Sequence, residues 1–271
     1  MKIFIDIGSH IGQTLHEVTK AKYAFDRIYC FEPSMHCIKS LEKIASTDSR
    51  IIICNFGLSN KNQDAELFLP GSQGGTIFES EIDGSEDMSE KTSKNDGEVE
   101  KIKLRDANEW FEENINPADY IVVKTNCEGS EVDILDSLID GKFMKNIYTF
   151  LVTFDIRENP KYQYRELEVR RRLKQQIEKN FCFSDDVMIG RSHEKRIENW
   201  LKLFGVDTDI QDVKLLRSKY KKIFLQYSNK NGFMVRWETK LKRNLGYAIF
   251  PNWIKVALRY FKRTMRLNRD R

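Results

Sequence analysis

Apolar residues recur along the chain in two alternating rhythms. Lys2–Ile7 (KIFIDI) is a near-continuous apolar run and reads as a buried strand. Gln13–Lys22 follows at helical spacing, with Leu15, Val18 and Ala21 on one face. Asp26–Phe31 is a second strand, and Ser34–Ala45 is a helix with Met35, Ile38, Leu41 and Ile44 on its apolar stripe. Arg50–Asn55 (RIIICN) is a third strand. After Ala65–Leu69, a short strand or hairpin arm, the rhythm breaks over residues 71–100. It resumes with a helix at Asp106–Asn114, a strand at Tyr120–Lys124 (YIVVK), a helix at Ser130–Leu138 and a strand at Ile147–Phe154. Tyr164–Lys179 is a charged helix with Leu167, Leu173 and Ile177 inward. Phe181–Ile189 and Phe233–Trp237 close the strand list, and Ser192–Phe204 and Asp212–Tyr220 are helical. Strands alternating with helices imply an α/β fold with a doubly wound, mostly parallel sheet covered on both faces.

Charge divides the chain more sharply than its total of +4 suggests. Residues 240–271 carry a net +9, and the remaining 239 residues carry −5. The expected organisation is therefore one domain over residues 1–239 and a basic amphipathic tail over 240–271. Within the domain, residues 71–100 hold nine acids between Glu79 and Glu100 and read as a solvated loop or a lid over a site. Residues 191–230 read as a helical insert or cap. In the tail, Trp253, Val256, Ala257, Tyr260 and Leu267 recur at helical spacing among Lys and Arg. Such a helix suits an anionic membrane surface, or packing on the acidic body or another copy, with nucleic acid the least favoured partner.

The five cysteines (Cys30, Cys37, Cys54, Cys127 and Cys182) form no Cys-x-x-Cys pair and suit buried free thiols in a reducing compartment. No stretch of 18 apolar residues and no basic-then-apolar leader is found, so the expectation is a cytoplasmic protein, peripheral to a membrane if the tail binds one.

The candidate chemistry starts at the first strand–helix turn, DIGSHIGQT. A glycine turn there brings backbone close to a ligand at the carboxyl ends of the strands. The middle glycine of Gly-x-Gly-x-x-Gly is missing, which disfavours a dinucleotide, and no Gly-Lys-Ser/Thr marks a phosphate loop. What remains is Asp6-x-Gly8-x-x-x-Gly12, with Glu32 at the end of the second strand, placed to accept from ribose hydroxyls. The alternative for both glycines is an ordinary tight turn.

This combination resembles motif I and the ribose acid of class I methyltransferases that use S-adenosylmethionine (SAM). The ordered set DIGSHIGQT, FEPS, GLSNKNQDAELF and VVKTNCEGSEVDIL is similar to the FkbM methyltransferases over roughly residues 2 to 160, with an echo at FMVRWE. Four positions depart from that family's usual pattern: His10 for Asn, Asn126 for Asp, and Ala107-Asn108 for Leu-Asp. The resemblance implies a class I Rossmann-like fold and SAM-dependent O-methylation, most readily of a sugar hydroxyl in a glycan or glycolipid. Rival readings are another acceptor, a small metabolite or a protein side chain, and a non-catalytic scaffold that retained the fold; a nicotinamide dehydrogenase is remoter.

On that resemblance, Asp6, Gly8, His10, Gly12 and Glu32 frame SAM, with His10 offered to its carboxylate. Gly57 and Leu58 lie near the adenine. Lys124, Asn126 and Glu128 face the reacting centre, Glu128 as first choice for general base and Asp155 as second. A competing role for Glu128 is to cap the helix that follows, and for Lys124 to form a structural ion pair. His16, His36 and His193 carry no assigned role, and no metal site is expected.

Overall fold

The computed structural model describes residues 1–78, 99–141, 143–154 and 190–207, with 165, 166, 168, 169, 171–173, 181–184 and 188. Six parallel strands form the main sheet: β1 (Lys2–Ile7), β2 (Arg27–Phe31), β3 (Ile51–Cys54), β7 (Tyr120–Thr125), β8 (Ile147–Val152) and β9 (Phe181–Phe183). Their order is β3-β2-β1-β7-β8-β9. The chain runs outward from β1 through β2 to β3, then crosses back to β7 on the other side of β1. That reversal is where open α/β sheets bind ligands.

The strands are apolar almost throughout because both sheet faces are covered. Side chains alternate between faces with period two. Ile3, Ile5, Ile7, Ile121, Val123, Phe150 and Val152 belong to one core, together with α3 (Ala107–Asn114) and α4 (Glu131–Asp140). Phe4, Val122 and Leu151 point the other way, into a core shared with α1 (Leu15–Val18), α2 (Met35–Ala45) and α5 (His193–Leu203). The doubly wound parallel sheet expected from the hydrophobic pattern is therefore present.

A second, three-stranded sheet consists of β4 (Gly57–Ser59), β6 (Val99–Asp106) and β5 (Gln63–Phe68), in that order. β5 is antiparallel to β6, so the hairpin-arm reading of Ala65–Leu69 locates a real strand, beginning two residues earlier. β6 has no counterpart in the sequence reading. Only Ile102 and Leu104 of it are buried, and the alternating lysines and acids around them hide the period.

Other differences have local causes. The helix expected over Gln13–Lys22 shrinks to four residues of α1 and a 3₁₀ turn at Ala21–Tyr23. Tyr23 turns into the core and its hydroxyl donates to the buried Glu17 carboxylate at 2.5 Å, while Ala21 is exposed. Met35 is 57% exposed, not on the apolar stripe of α2. The strand at Phe181 has three residues, not nine.

The helix at His193–Leu203 is not a cap standing apart. Ile197, Trp200 and Leu201 are fully buried, Trp200 meets Phe4 edge-on at 6.3 Å, and its indole N–H donates to Thr149 Oγ1 at 3.3 Å. The described residues between 165 and 173 are helical. Leu173 is buried there as expected, and Arg165 and Arg172 pair with Asp133, Asp136 and Asp140 of α4. Asp155, most of 71–100, the segments at Asp212–Tyr220 and Phe233–Trp237, and the tail 240–271 lie outside the described residues.

Candidate functional site

A cavity of about 560 Å³ opens at the carboxyl ends of the parallel strands. Ile7, Phe31, Lys124 and Leu151 reach it from the ends of β1, β2, β7 and β8.

The turn after β1 forms one wall. Gly8 adopts φ +81° and Gly12 φ +88°, both left-handed values that suit glycine. Their neighbours differ. A Cβ on Gly8 would stand 2.0 Å from the Asn126 carbonyl oxygen, so bareness there lets β1 and β7 exit side by side. A Cβ on Gly12 would meet Ile44 Cδ1 at 2.6 Å; Gly12 faces α2 and does not line the cavity. The turn keeps few donors for a ligand. The N–H groups of Gly8 and Ser9 both go to the Phe31 carbonyl, that of Gly12 to Ser9, and that of His10 to Glu32 Oε2. A pyrophosphate would need those donors.

Glu32 stands at the end of β2 in the cavity wall, buried. Its Oε2 accepts from His10 N–H at 2.8 Å and its Oε1 from Ser34 N–H at 3.0 Å. Each carboxylate oxygen has a second lone pair, so the acid can still accept from hydroxyls in the cavity. Burial raises its pKa, and the two N–H donors pull against that rise. Gly57 and Leu58 line the same side, where Gly57 is pressed by Leu104, 2.5 Å from an added Cβ.

Asp6 and Lys124 form a buried pair beneath the floor, at 0% and 6% exposure. Lys124 Nζ lies 2.9 Å from Asp6 Oδ1 and donates to the Gly8 carbonyl at 3.1 Å. Neither Asp6 oxygen receives an aligned hydrogen bond from a described residue, so charge alone holds the carboxylate. Lys124 lines the cavity and Asp6 does not. The ion-pair role considered for Lys124 is thus real, and it coexists with a place at the site.

The loop after β7 brings Asn126, Cys127 and Glu128 to the opposite wall. Glu128 is held at φ +48°, a strained value for a residue with a side chain, costing roughly 1–2 kcal/mol. Its carbonyl accepts from Thr76 Oγ1 at 2.8 Å, tying the loop to the 71–78 segment. Just ahead of α4 the fully buried Glu131 carboxylate accepts from Cys127 N–H at 2.5 Å and Gly129 N–H at 3.0 Å, which fixes the loop. Burial pushes the Cys37 thiol up to about 12 and the Cys127 thiol higher still, so both wall thiols stay protonated.

Sequence reasoning missed another part of the wall, which includes Thr14, Thr153, Ser184, Met188, His193 and Arg196. His193 opens α5, and its Nε2 lies 3.1 Å from Thr14 Oγ1. Burial is the main cause that lowers its pKa, and the Lys124 charge adds to it. The only local signal was the Ser192 cap, whose Oγ accepts from Lys195 N–H. That cap marks a helix start and says nothing of what the helix faces. Thr153, two residues before Asp155, shows that the exit of β8 faces the cavity.

Among the described residues, no helix is long and apolar enough to cross a membrane. A comparison with curated proteins finds no match. A solved structure resembles the chain: methyltransferase FkbM from Methylobacillus flagellatus KT, at 18% identity and a TM-score of 0.32. The likeness covers 51% of this chain and 29% of that one. The family model described as the methyltransferase FkbM domain matches residues 6–181, a span that begins at Asp6 and takes in the glycine turn, Glu32 and the whole loop after β7. The chain belongs to the FkbM family of methyltransferases.

Proposed function

We propose that the protein is a SAM-dependent O-methyltransferase whose acceptor is a sugar hydroxyl in a glycan or glycolipid. The observation that carries this reading is Glu32. A buried carboxylate, fixed by two backbone N–H groups at the end of β2, faces the cavity with lone pairs to spare for a ribose diol. The turn beside it has its N–H groups at residues 8, 9, 10 and 12 spent internally. That suits a nucleoside carrying no phosphate, and it disfavours a dinucleotide.

In this reading Glu32 holds the ribose, Gly57 and Leu58 border the adenine, and the turn at Gly8 borders the amino-acid end. SAM supplies an electrophilic methyl group on a sulfonium. The chain's own part is positioning, worth up to about 7–11 kcal/mol in favourable cases. Lys124, Asn126 and Glu128 stand where an acceptor oxygen would approach. Glu128 takes the proton from that hydroxyl, a contribution of typically ~10²–10⁴-fold. The strained backbone that aims Glu128 fits such a role. The reading places the enzyme in the cytoplasm, with residues 240–271 on an anionic membrane surface near a lipid-linked acceptor.

Calorimetric titration with SAM and with NAD tests the cofactor. SAM alone should bind. Binding of NAD alone, or of neither, overturns the reading. A screen of glycans and glycolipids with radiolabelled SAM tests the acceptor, and liposome flotation with and without residues 240–271 tests the tail.

A further inference from the structure

The amino-acid end of SAM carries a carboxylate, which needs donors. His10 is the residue that the sequence suggests for it, and the structure gives its backbone N–H and its Nε2 other partners. Its Nε2 lies 3.1 Å from the Gly71 carbonyl oxygen. A carbonyl only accepts, so Nε2 donates to it and that N–H is not left for a ligand. The backbone N–H of His10 is already given to Glu32. Lys124 is engaged with Asp6 and the Gly8 carbonyl.

Donors remain on the wall formed by α1 and α5. Thr14, His193 and Arg196 all line the cavity. Thr14 Oγ1 and His193 Nε2 are 3.1 Å apart. Arg196 lies three residues after His193, on the same face of α5. Its Nε donates to the Gly190 carbonyl at 3.0 Å, which fixes the plane of the guanidinium. Its two terminal nitrogens have no partner among the described residues. α5 is anchored by the buried Trp200 and Leu201, in one core with Leu15 and Val18 of α1, so the wall is rigid.

We propose that Thr14, His193 and Arg196 form the anchor for the carboxylate at the amino-acid end of the cofactor. The inference rests on the SAM reading and deepens it. Arg196 supplies the charge, and the Thr14–His193 pair supplies a further donor. His193 and Arg196 lie beyond residue 181, where the family match ends, so this anchor belongs to the part of the chain that the match does not reach. The charged groups around His193 are Lys124 from β7, Asp6 from β1, and Arg196 and Glu194 from α5. The anchor completes a bipolar cavity: an acid for the ribose on the β2 side, and donors for the carboxylate on the α5 side.

The test is calorimetry with two probes, S-adenosylhomocysteine and 5′-methylthioadenosine, which lacks the amino-acid end. The wild-type chain should bind the first more tightly. Arg196→Ala should weaken S-adenosylhomocysteine by about tenfold or more, the range of a charged hydrogen bond, and leave methylthioadenosine unchanged. His193→Asn should act in the same direction, and Arg196→Lys should recover part of the loss. Equal wild-type affinity for both probes overturns the anchor, and so does Arg196→Ala that leaves both affinities intact or lowers both alike. If the wild-type chain binds neither probe, the cofactor reading itself fails, which is a different result. Arg196 is exposed, so Arg196→Ala should fold, and circular dichroism confirms it.

Discussion

The carbonyl oxygen of Asn126 fills the space that a side chain on Gly8 would occupy, 2.0 Å from where its Cβ would stand. The contact is with backbone, which cannot turn aside, and φ is +81°. Gly8→Ala should therefore lose stability on the order of 3 kcal/mol or more, beyond the ~1 kcal/mol expected from conformation alone. Gly12→Ala should cost less, because its obstacle is the flexible end of Ile44. Urea unfolding of the two variants checks the ranking. Equal and small losses would mean that β1 and β7 exit farther apart than described.

Glu128 and Glu131, three residues apart, should separate cleanly on mutation. Glu131→Ala strands the N–H donors of Cys127 and Gly129 in the loop ahead of α4 and should destabilise by about 2–4 kcal/mol. Glu128→Gln should change stability little and SAM affinity little, while turnover of an identified acceptor falls by about 10²-fold or more. Full turnover in Glu128→Gln would remove it as the proton acceptor.

His193 sets a pH dependence with a definite sign. Its folded pKa lies below the ordinary 6.5, so at mildly acid pH the unfolded chain binds the extra proton more readily. This contribution to stability is complete above the ordinary value and is lost as pH falls from there toward the folded value. Its surroundings work both ways: Lys124 and Arg196 lower the pKa, and Asp6 and Glu194 raise it. Between about pH 8 and about pH 5, wild type should lose more stability than His193→Asn. Denaturant midpoints across that range measure the difference, and parallel curves would contradict it.

Trp200→Ala tests whether α5 belongs to the main core. Removing a fully buried indole should cost about 3–5 kcal/mol and lower a single cooperative transition. A separable cap would instead give a second, earlier transition and leave the rest of the domain as stable as before.

Much of this protein is written in local pattern. Parallel strands covered on both faces must be apolar throughout, so β1, β2, β3, β7 and β8 were legible from composition alone. Turn chemistry put Gly8 and Glu32 at the carboxyl ends of strands, and Gly8, His10, Glu32, Gly57, Leu58, Lys124, Asn126 and Glu128 all line one cavity. What the residues meet across the fold was not legible, because contacts between distant segments leave no periodic trace. Tertiary packing decided that Gly12 faces α2, that Glu131 holds the loop ahead of α4, and that His10 Nε2 meets the Gly71 carbonyl. It also decided that α5, 179 residues after Thr14 in the chain, closes the cavity with His193. Short-range order follows from the period of apolar residues, whereas the site needs the long-range register of a sheet that only the folded chain supplies.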